Sequence, residues 1–311
     1  MRGRNRLIVV AVAALALIVP YVTSHRESLE LDDSVRASRG GQYIELSDGV
    51  THYELTGPSD GPTVVLIHGG TIPLYAWDAQ VPALVQAGFR VLRYTHFGRG
   101  VSDRPDVDYD RALYQRQLRE LLSALAIDGP LNVVGLSFGS ATAATFAKQN
   151  PERVEKVVFI APVVDYAAGK PLFALAKVPL LGEWFMRVFA VKKAVVRATG
   201  FFEEANAPPS YAERFVEQTR IPGFERALLS MVRSDALDSY RDTYATLGGQ
   251  PKLIMWGADD QEIPRGHVDF LRKALGNVSY VEFPTAGHGV TVQSSDALNR
   301  RLTAFLATGV P

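Results

Sequence analysis

Five residues near the middle of the chain, Gly135-Leu136-Ser137-Phe138-Gly139, follow the pattern G-x-S-x-G. The pattern is short, so its weight comes from its context: an apolar, strand-like run at Leu131–Val134 precedes it and a helical pattern at Ala141–Gln149 follows. A serine on such a sharp strand-to-helix turn needs flanking glycines, because its own backbone is strained and neighbouring chains pass close by. The helix N-terminus would stabilise negative charge that develops beside the serine. Ser137 is therefore the predicted nucleophile.

A serine hydroxyl is a poor nucleophile without a general base, and the chain has six histidines. A serine on this kind of turn goes with the chain order serine, acid, histidine, which places the base after the last strand. His288, in Ala286-Gly287-His288-Gly289, follows the strand-like Ser279–Phe283 and is the predicted base. His68 and His96 end earlier strands but precede the serine. Of the remaining three, His25 lies near the N-terminal segment, His52 lies in an early strand and His267 lies on a predicted surface helix.

The acid should follow the preceding strand, where it would hold the imidazole in the correct tautomer and stabilise the imidazolium. The segment after Lys252–Trp256 offers three carboxylates. Asp260 is the first choice and Asp259 the alternative, whereas Glu262 is expected to cap the following helix. Asp165, which follows another strand, is a less favoured acid.

Acyl transfer also needs hydrogen-bond donors for the oxyanion, each worth roughly 3 kcal/mol. The backbone N–H of Phe138, directly after the nucleophile, is one expected donor. The second is expected from the loop His68-Gly69-Gly70-Thr71, which follows the apolar strand Thr63–Ile67, and Gly70 is the first candidate.

The elements that must position these residues alternate between short Val- and Ile-rich strands and amphipathic helices, among them a helix predicted at Tyr75–Ala87. This alternation predicts an α/β fold with a mostly parallel sheet, completed to eight strands by antiparallel strands at the front. The predicted strands are Gln42–Leu46, Thr51–Leu55, Thr63–His68, Arg90–Tyr94, Leu131–Leu136, Glu155–Ile160, Lys252–Trp256 and Ser279–Phe283. Residues 165–250 break the alternation and are predicted to form an inserted helical cap over the C-terminal edge of the sheet, where open α/β sheets bind ligands. Residues 41–164 and 251–311 would form the body.

The N-terminus has the pattern of a targeting segment. Three arginines at positions 2, 4 and 6 precede an apolar run, and acidic residues follow it. The apolar run over residues 7–22 would make a helix of about 24 Å, which is short for a bilayer core of about 30 Å. Residues 1–24 are therefore predicted to be a signal peptide or an N-terminal membrane anchor, with residues 25–40 as a polar linker. Either alternative places the body outside the cytoplasm, secreted or tethered to the membrane.

Composition excludes several classes of protein. The 311 residues carry 33 basic and 33 acidic side chains, so the formal net charge is zero and no nucleic-acid partner is expected. Hydrophobic residues at 47% and charged residues at 21% exclude a disordered or fibrous chain. The absence of cysteine excludes a disulfide framework, a thiolate metal site and a cysteine nucleophile. No metal ion and no organic cofactor is predicted.

Over residues 41–307 the chain resembles the α/β-hydrolase superfamily, in particular its cap-bearing serine esterase and lipase branch, which includes monoacylglycerol lipases. The resemblance rests on His68-Gly69-Gly70, Gly98-Arg99-Gly100-Val101-Ser102, the turn at Ser137, Trp256-Gly257-Ala258-Asp259-Asp260 and Gly287-His288. It implies the α/β-hydrolase fold, and the family's G-x-x-D motif, aligned on Gly257, falls on Asp260. One departure concerns the family's frequent Y-D-x-x-G, which here is Tyr94-Thr95-His96-Phe97-Gly98 and puts the local loop geometry in question. The serine nucleophile differs from the aspartate of the related epoxide hydrolases and dehalogenases.

These observations predict a serine hydrolase that cleaves carboxylic esters, with a lipophilic substrate suggested by the Phe, Leu and Trp residues of the cap. A membrane-proximal monoacylglycerol lipase or a general carboxylesterase fits this prediction. The same triad also serves C–C bond hydrolysis, lactone opening, aminopeptidase action and perhydrolysis, and sequence does not separate these alternatives. A non-catalytic ligand-binding module is a remote alternative, because Ser137, Asp260 and His288 are all present.

Overall fold

Eight strands form one sheet in the computed structural model, which describes residues 2–166 and 171–311. The strands are β1 (Gln42–Leu46), β2 (Gly49–Thr56), β3 (Thr63–Ile67), β4 (Arg90–Tyr94), β5 (Leu131–Leu136), β6 (Val154–Ile160), β7 (Lys252–Gly257) and β8 (Ser279–Phe283). Their spatial order is β1-β2-β4-β3-β5-β6-β7-β8. Strand β2 is antiparallel to both of its neighbours, and every other adjacent pair is parallel. The prediction of a mostly parallel, eight-stranded α/β sheet is confirmed.

Helices cover both faces of this sheet. In chain order they are α1 (Arg2–Thr23), α2 (Asp33–Ala37), α3 (Val81–Gln86), α4 (Arg111–Ala124), α5 (Phe138–Gln149), α6 (Pro171–Ala176), α7 (Leu181–Phe185), α8 (Val191–Glu204), α9 (Pro209–Gln218), α10 (Phe224–Arg233), α11 (Arg241–Ala245), α12 (Arg265–Ala274), α13 (Val290–Gln293) and α14 (Ser295–Thr308). Successive side chains of a strand point to opposite faces of the sheet, so alternate residues pack into two separate cores. In β3, Val65 and Ile67 pack with α4, α5 and α12, while Val64 and Leu66 pack with α3 and α14.

The region predicted as one helix at Tyr75–Ala87 is divided in two. A 3₁₀ turn at Leu74–Trp77 is followed by α3, which begins only at Val81. Pro82 occupies the first turn of α3, where its missing N–H costs nothing, but it would interrupt a longer helix. The single-helix prediction was therefore wrong at this point.

Helices α6 to α10 lie between β6 and β7 in the chain, within the range predicted as a cap. Their side chains form their own apolar clusters, which also include Phe138 and Tyr75 of the body. Helix α11 lies in the same predicted range, yet its Tyr244 belongs to the core beneath α5 and α12. The C-terminal end of the range 165–250 thus packs with the body rather than with the cap.

The N-terminal helix α1 extends to 22 residues, longer than the apolar run that predicted it. Most of its apolar side chains from Leu7 to Val22 are exposed, whereas Pro20 and Tyr21 are partly buried. Among the described residues, Asn5–Thr23 is the one helical stretch long and apolar enough to cross a membrane, a property that signal sequences share.

Candidate active site

Ser137 lies at the turn between β5 and α5, and its backbone has φ 54° and ψ −116°. Helix α5 begins immediately afterwards at Phe138, three residues earlier than the sequence pattern predicted. A Cβ atom on Gly135 would lie 2.3 Å from the carbonyl oxygen of Gly139, and one on Gly139 would lie 2.1 Å from that of Ile67. Both positions therefore require glycine, as the motif predicted, because backbone passes where a side chain would begin.

A continuous hydrogen-bonded chain joins the three residues predicted as nucleophile, base and acid. His288 Nε2 lies 3.1 Å from Ser137 Oγ, and His288 Nδ1 lies 2.9 Å from Asp260 Oδ2. The second carboxylate oxygen of Asp260 accepts hydrogen bonds from the backbone N–H groups of Glu262 and Ile263, at 2.8 and 2.9 Å. The Asp260 side chain is fully buried, so it is a fixed acceptor for the Nδ1–H of His288. This tautomer leaves Nε2 free to accept the serine proton.

The other candidate acids lie elsewhere. Asp259 is exposed. Asp165 binds the guanidinium of Arg241 at 2.7 Å. The expectation that Glu262 caps the following helix was wrong, because α12 begins without a side-chain cap and Glu262 accepts a 2.6 Å hydrogen bond from Arg197 on α8. Glu262 thereby connects the cap to the loop that carries Asp260.

The two predicted oxyanion donors lie beside each other at the nucleophile. Phe138 is the first residue of α5, so its N–H has no acceptor within the helix. A Cβ atom placed on Gly70 would lie 3.8 Å from that of Phe138, and one on Gly69 would lie 3.4 Å from Cβ of Ser137. Within the ranges 2–166 and 171–311, neither the Phe138 nor the Gly70 N–H donates to another protein group. Both amides are available to an oxyanion.

His68 holds the glycine loop that carries Gly70. Its Nε2 accepts the backbone N–H of His96 at 2.9 Å, so the proton resides on Nδ1, which donates to the Gly69 carbonyl at 2.6 Å. That carbonyl belongs to the same peptide unit as the Gly70 N–H, and a hydrogen bond to it polarises the N–H toward an anion. Burial lowers the pKa of His68 to about 3, so the ring is neutral.

Arg99 supports the same loop from the other side. Its guanidinium is buried and donates to the carbonyls of Gly70 and Gly98, at 2.6 and 2.9 Å. The sequence placed Arg99 only within a family motif, and His68 was not predicted to act because it precedes the serine. The available signal for these supporting roles was the position of His68 directly after β3 and before Gly69, and that of Arg99 between Gly98 and Gly100 in the loop after β4.

The loop that departs from the family pattern is held by other groups. Ser102 Oγ donates to the Thr95 carbonyl at 2.8 Å, and the Phe97 N–H donates to Gln117 Oε1 at 3.0 Å. The buried His96 ring packs edge-to-face on Phe138, with centroids 5.9 Å apart, and burial keeps its pKa well below the usual value. Neutral aromatic packing thus supports the first residue of α5.

An apolar cavity of about 360 Å³ lies over Ser137 and His288, between the body and the cap. Its wall includes the side chains Leu136, Phe138, Val163, Phe173, Ala176, Phe185, Met186, Ala190, Ala194, Ala198, Phe201, Phe202, Leu228, Met231, Val232, Leu237 and Val292. Three charged side chains line it, Lys193, Arg197 and Glu262, and the last two are paired with each other. No group of His, Asp or Glu side chains in the described part of the chain could hold a metal ion.

The chain belongs to the α/β-hydrolase fold family, whose sequence profile matches residues 62–293. It is accordingly a hydrolase, and the resemblance to this superfamily is confirmed. Two curated relatives, from Comamonas testosteroni and Burkholderia cepacia, are 2-hydroxy-6-oxo-6-phenylhexa-2,4-dienoate hydrolases. Each is 27% identical to this chain, over 84% of it and 93% of the first relative, and over 88% of it and 98% of the second. The crystal structure of an enol-lactonase from Burkholderia xenovorans LB400 has the same fold, with a TM-score of 0.70 and 22% identity over 86% of this chain and 100% of the other.

Proposed function

We infer that the protein is a serine hydrolase that cleaves lipophilic carboxylic esters through an acyl-enzyme. The observation that carries this proposal is the Ser137–His288–Asp260 chain at the floor of an apolar cavity, next to two backbone N–H groups that donate to no protein group in the described part of the chain. A nucleophile, a base, an oriented acid and oxyanion donors are the parts that acyl transfer requires.

In the first half of the reaction, Ser137 Oγ attacks the ester carbonyl while His288 Nε2 accepts the hydroxyl proton. The negative oxygen of the tetrahedral intermediate accepts hydrogen bonds from the backbone N–H groups of Phe138 and Gly70, and Asp260 stabilises the imidazolium. His288 then returns the proton to the leaving alcohol. In the second half, water gives a proton to His288 and attacks the acyl group, and the acid product leaves as Ser137 regains its proton.

The charges of the cavity favour a neutral substrate. Arg197 is neutralised by Glu262, at 2.6 Å, and Lys193 is exposed to solvent. Most of the described side chains that line the cavity, Leu136 and Phe138 among them, are apolar and cannot pair with a substrate carboxylate. An ester with a lipophilic acyl or alcohol part would bury its apolar surface there.

Carbon–carbon bond hydrolysis is the second candidate, and the two curated relatives favour it. The substrate in their name has a ketone and a carboxylate but no ester, so its hydrolysis breaks a bond between carbon atoms. The same nucleophile, base and oxyanion donors would serve a ketone. Such a substrate would need a cation for its carboxylate, which here would be Arg197 or Lys193.

The test compares p-nitrophenyl esters from acetate to palmitate with 2-hydroxy-6-oxo-6-phenylhexa-2,4-dienoate, using the full chain. We expect ester turnover that prefers medium or long acyl chains and falls by at least about a thousand-fold in Ser137→Ala. Ser295→Ala, a serine substitution outside the cavity, is the matched control. Turnover of the dienoate alone, lost in Ser137→Ala, would replace the esterase proposal by the second candidate. No turnover of any substrate by folded protein would contradict both.

A further inference from the structure

The cap presents a group of exposed apolar side chains, Val178, Leu180, Leu181, Phe189 and Val196, which we call the cap face. Leu180 is 84% exposed, Phe189 52% and Val196 64%. They lie on consecutive elements, from the end of α6 through α7 and the π-helical turn Met186–Ala190 to α8. Exposed apolar side chains grouped in this way mark a surface that binds something other than water.

Leu180 is also conformationally unusual. Its φ is 65°, in the left-handed region that favours glycine, and its side chain makes little contact with the protein. Contact with water stabilises neither the strained backbone of Leu180 nor its exposed side chain. Its side chain would gain the full benefit of burial in a hydrocarbon environment.

The apolar helix α1 contacts the cap beside this face. Trp184 Nε1 donates to the carbonyl of Leu17 at 2.8 Å, and the Arg187 guanidinium lies 4.2 Å from the centroid of the Tyr21 ring. Trp184 packs in turn against Phe189 of the cap face, with ring centroids 5.5 Å apart. The cap face and the exposed side chains of α1 are therefore neighbours. The stretch of α1 that is apolar enough to cross a membrane, Asn5–Thr23, has 19 residues and extends about 28 Å at 1.5 Å per residue, close to the thickness of a bilayer core.

The segment after α1 is fixed to the cap. The N–H groups of Ser28 and Leu29 both donate to the Arg220 carbonyl, at 2.7 and 2.8 Å. Glu27 accepts the backbone N–H of Glu225 at 2.8 Å. The residues predicted as a linker thus hold the C-terminal end of α1 in one position relative to the cap, so a membrane around α1 would meet the cap face.

Charge at the edge of the cap face fits an anionic lipid surface. Lys177, Lys192 and Lys193 are exposed, and each lies within a few residues of a cap-face side chain. Lysines at a membrane surface are attracted by acidic headgroups. Lys193 and Arg197 are exposed and also line the cavity, which places an opening of the cavity on α8, the helix that carries Val196.

We propose that the cap face docks onto a lipid bilayer beside the membrane-embedded α1, and that the cavity opens toward that bilayer. Docking requires no particular reaction at Ser137. That lipophilic substrates then enter from the membrane is the part that rests on the proposed function.

The test uses the full chain in phosphatidylcholine vesicles with phosphatidylglycerol, and it exploits the absence of cysteine from the sequence. Single cysteines at Leu180, Phe189 or Val196 are labelled with an environment-sensitive fluorophore. A cysteine in place of Asp60 is the reference site, because this residue is exposed and precedes the N-terminal end of β3, whereas the cap lies at the C-terminal ends of the strands. We expect the chain to float with the vesicles and the three cap labels to shift to the blue and be quenched by spin-labelled lipids. The Asp60 label should respond to neither.

A double variant, Leu180→Asp with Phe189→Asp, separates docking of the cap from insertion of α1. Each apolar side chain that is buried in the bilayer raises the partition coefficient from water to lipid roughly ten-fold. In the double variant, quenching of the label at Val196→Cys should therefore be lost while the chain still floats. Val310→Asp, a change at an exposed apolar residue on the C-terminal tail, is the matched control and should keep the quenching. Circular dichroism verifies the fold of each variant. Failure of the wild-type chain to float, or cap labels no more quenched than the Asp60 label, would overturn the proposal. Neither readout involves turnover, so a failed esterase assay leaves this result independent.

Discussion

The backbone of Ser137 is held in a conformation that an isolated serine avoids. A positive φ of this kind costs about 1–3 kcal/mol, and packed surroundings must maintain it. Here the Ser137 N–H donates to the Ile160 carbonyl at 2.8 Å, and its own carbonyl accepts the Ser140 N–H at 3.0 Å. Both partners belong to the adjacent strand and helix, so the hydroxyl keeps its orientation toward His288 without support from the substrate.

The acid at the end of β7 provides a matched pair of variants. Asp260→Asn would place an amide against the Nδ1–H of His288 and favour the wrong imidazole tautomer, so we expect kcat for p-nitrophenyl butyrate to fall by about 10³–10⁴-fold. Asp259→Asn, one residue earlier and exposed, should change kcat less than about two-fold, as surface substitutions usually do. Comparable losses in the two variants would contradict the assignment of Asp260.

Sequence predicted Ser137 and His288 because each has one suitable place in the order of strands. It could not exclude Asp259 as the acid, because consecutive residues after a strand face different directions. Only the turn beyond β7 decides which of the two carboxylates is buried. That turn is closed by the N–H groups of Glu262 and Ile263 on Asp260. The supporting roles of His68 and Arg99 depend on contacts between separate loops, which no local pattern contains.

At the scale of elements, the site depends on a close crossing between α5 and the end of β3. Gly139, in the first turn of α5, passes against the carbonyls of Ile67 and His68. The same approach brings the glycine loop, with Gly70, to the side of Ser137. The start of α5 and the end of β3 thereby set the spacing between Ser137 and Gly70.

Two glycine substitutions should have opposite effects on stability. Gly139→Ala puts a methyl group 2.1 Å from a carbonyl oxygen, and we expect it to lower the free energy of unfolding by about 3 kcal/mol or more. Gly200→Ala, inside α8, should raise it by up to about 1 kcal/mol, because no described atom beyond its chain neighbours and the backbone of its own helix lies within 4 Å of the new methyl group. Urea unfolding measures both. A neutral Gly139→Ala would show that the crossing is looser than described.

Sequence patterns predicted the strands well because the apolar runs are short, rich in Val and Ile, and bounded by turn residues. Helices near prolines and between the two domains were harder. Pro82 delays α3, and α11 is assigned to the body by the burial of Tyr244 rather than by any pattern of its own. The role of Glu262 depends on Arg197, which is 65 residues away in the chain.

On the scale of the whole molecule, three histidines are buried as neutral groups. Burial lowers the pKa of His52 to about 4 and that of His68 to about 3, and it keeps the pKa of His96 well below its usual value. Below pH 6.5 the unfolded chain binds protons that the folded chain excludes. The contribution of these histidines to the free energy of unfolding is therefore fully present above pH 6.5 and is lost as the pH falls toward 4.

We expect the free energy of unfolding to fall between pH 6 and pH 4.5, with each buried histidine contributing about 1.4 kcal/mol per pH unit. His52→Gln should reduce the slope by about that amount, because its ring is replaced by a group that does not titrate. Denaturant unfolding at several pH values measures the slope, and the same variant at pH 8 gives the part of the effect that does not depend on protonation. An unchanged slope would contradict the burial of a neutral His52.

The order of the site along the chain has a consequence for biosynthesis. Ser137 follows the fifth strand, whereas Asp260 and His288 follow the last two, which occupy the far edge of the sheet. A nascent chain on the ribosome therefore carries Ser137 long before Asp260 and His288 have been added. The hydrogen-bonded chain from Ser137 to Asp260 is complete only when β8 has joined β7, so we expect an unfinished polypeptide to be inactive in the cell that makes it.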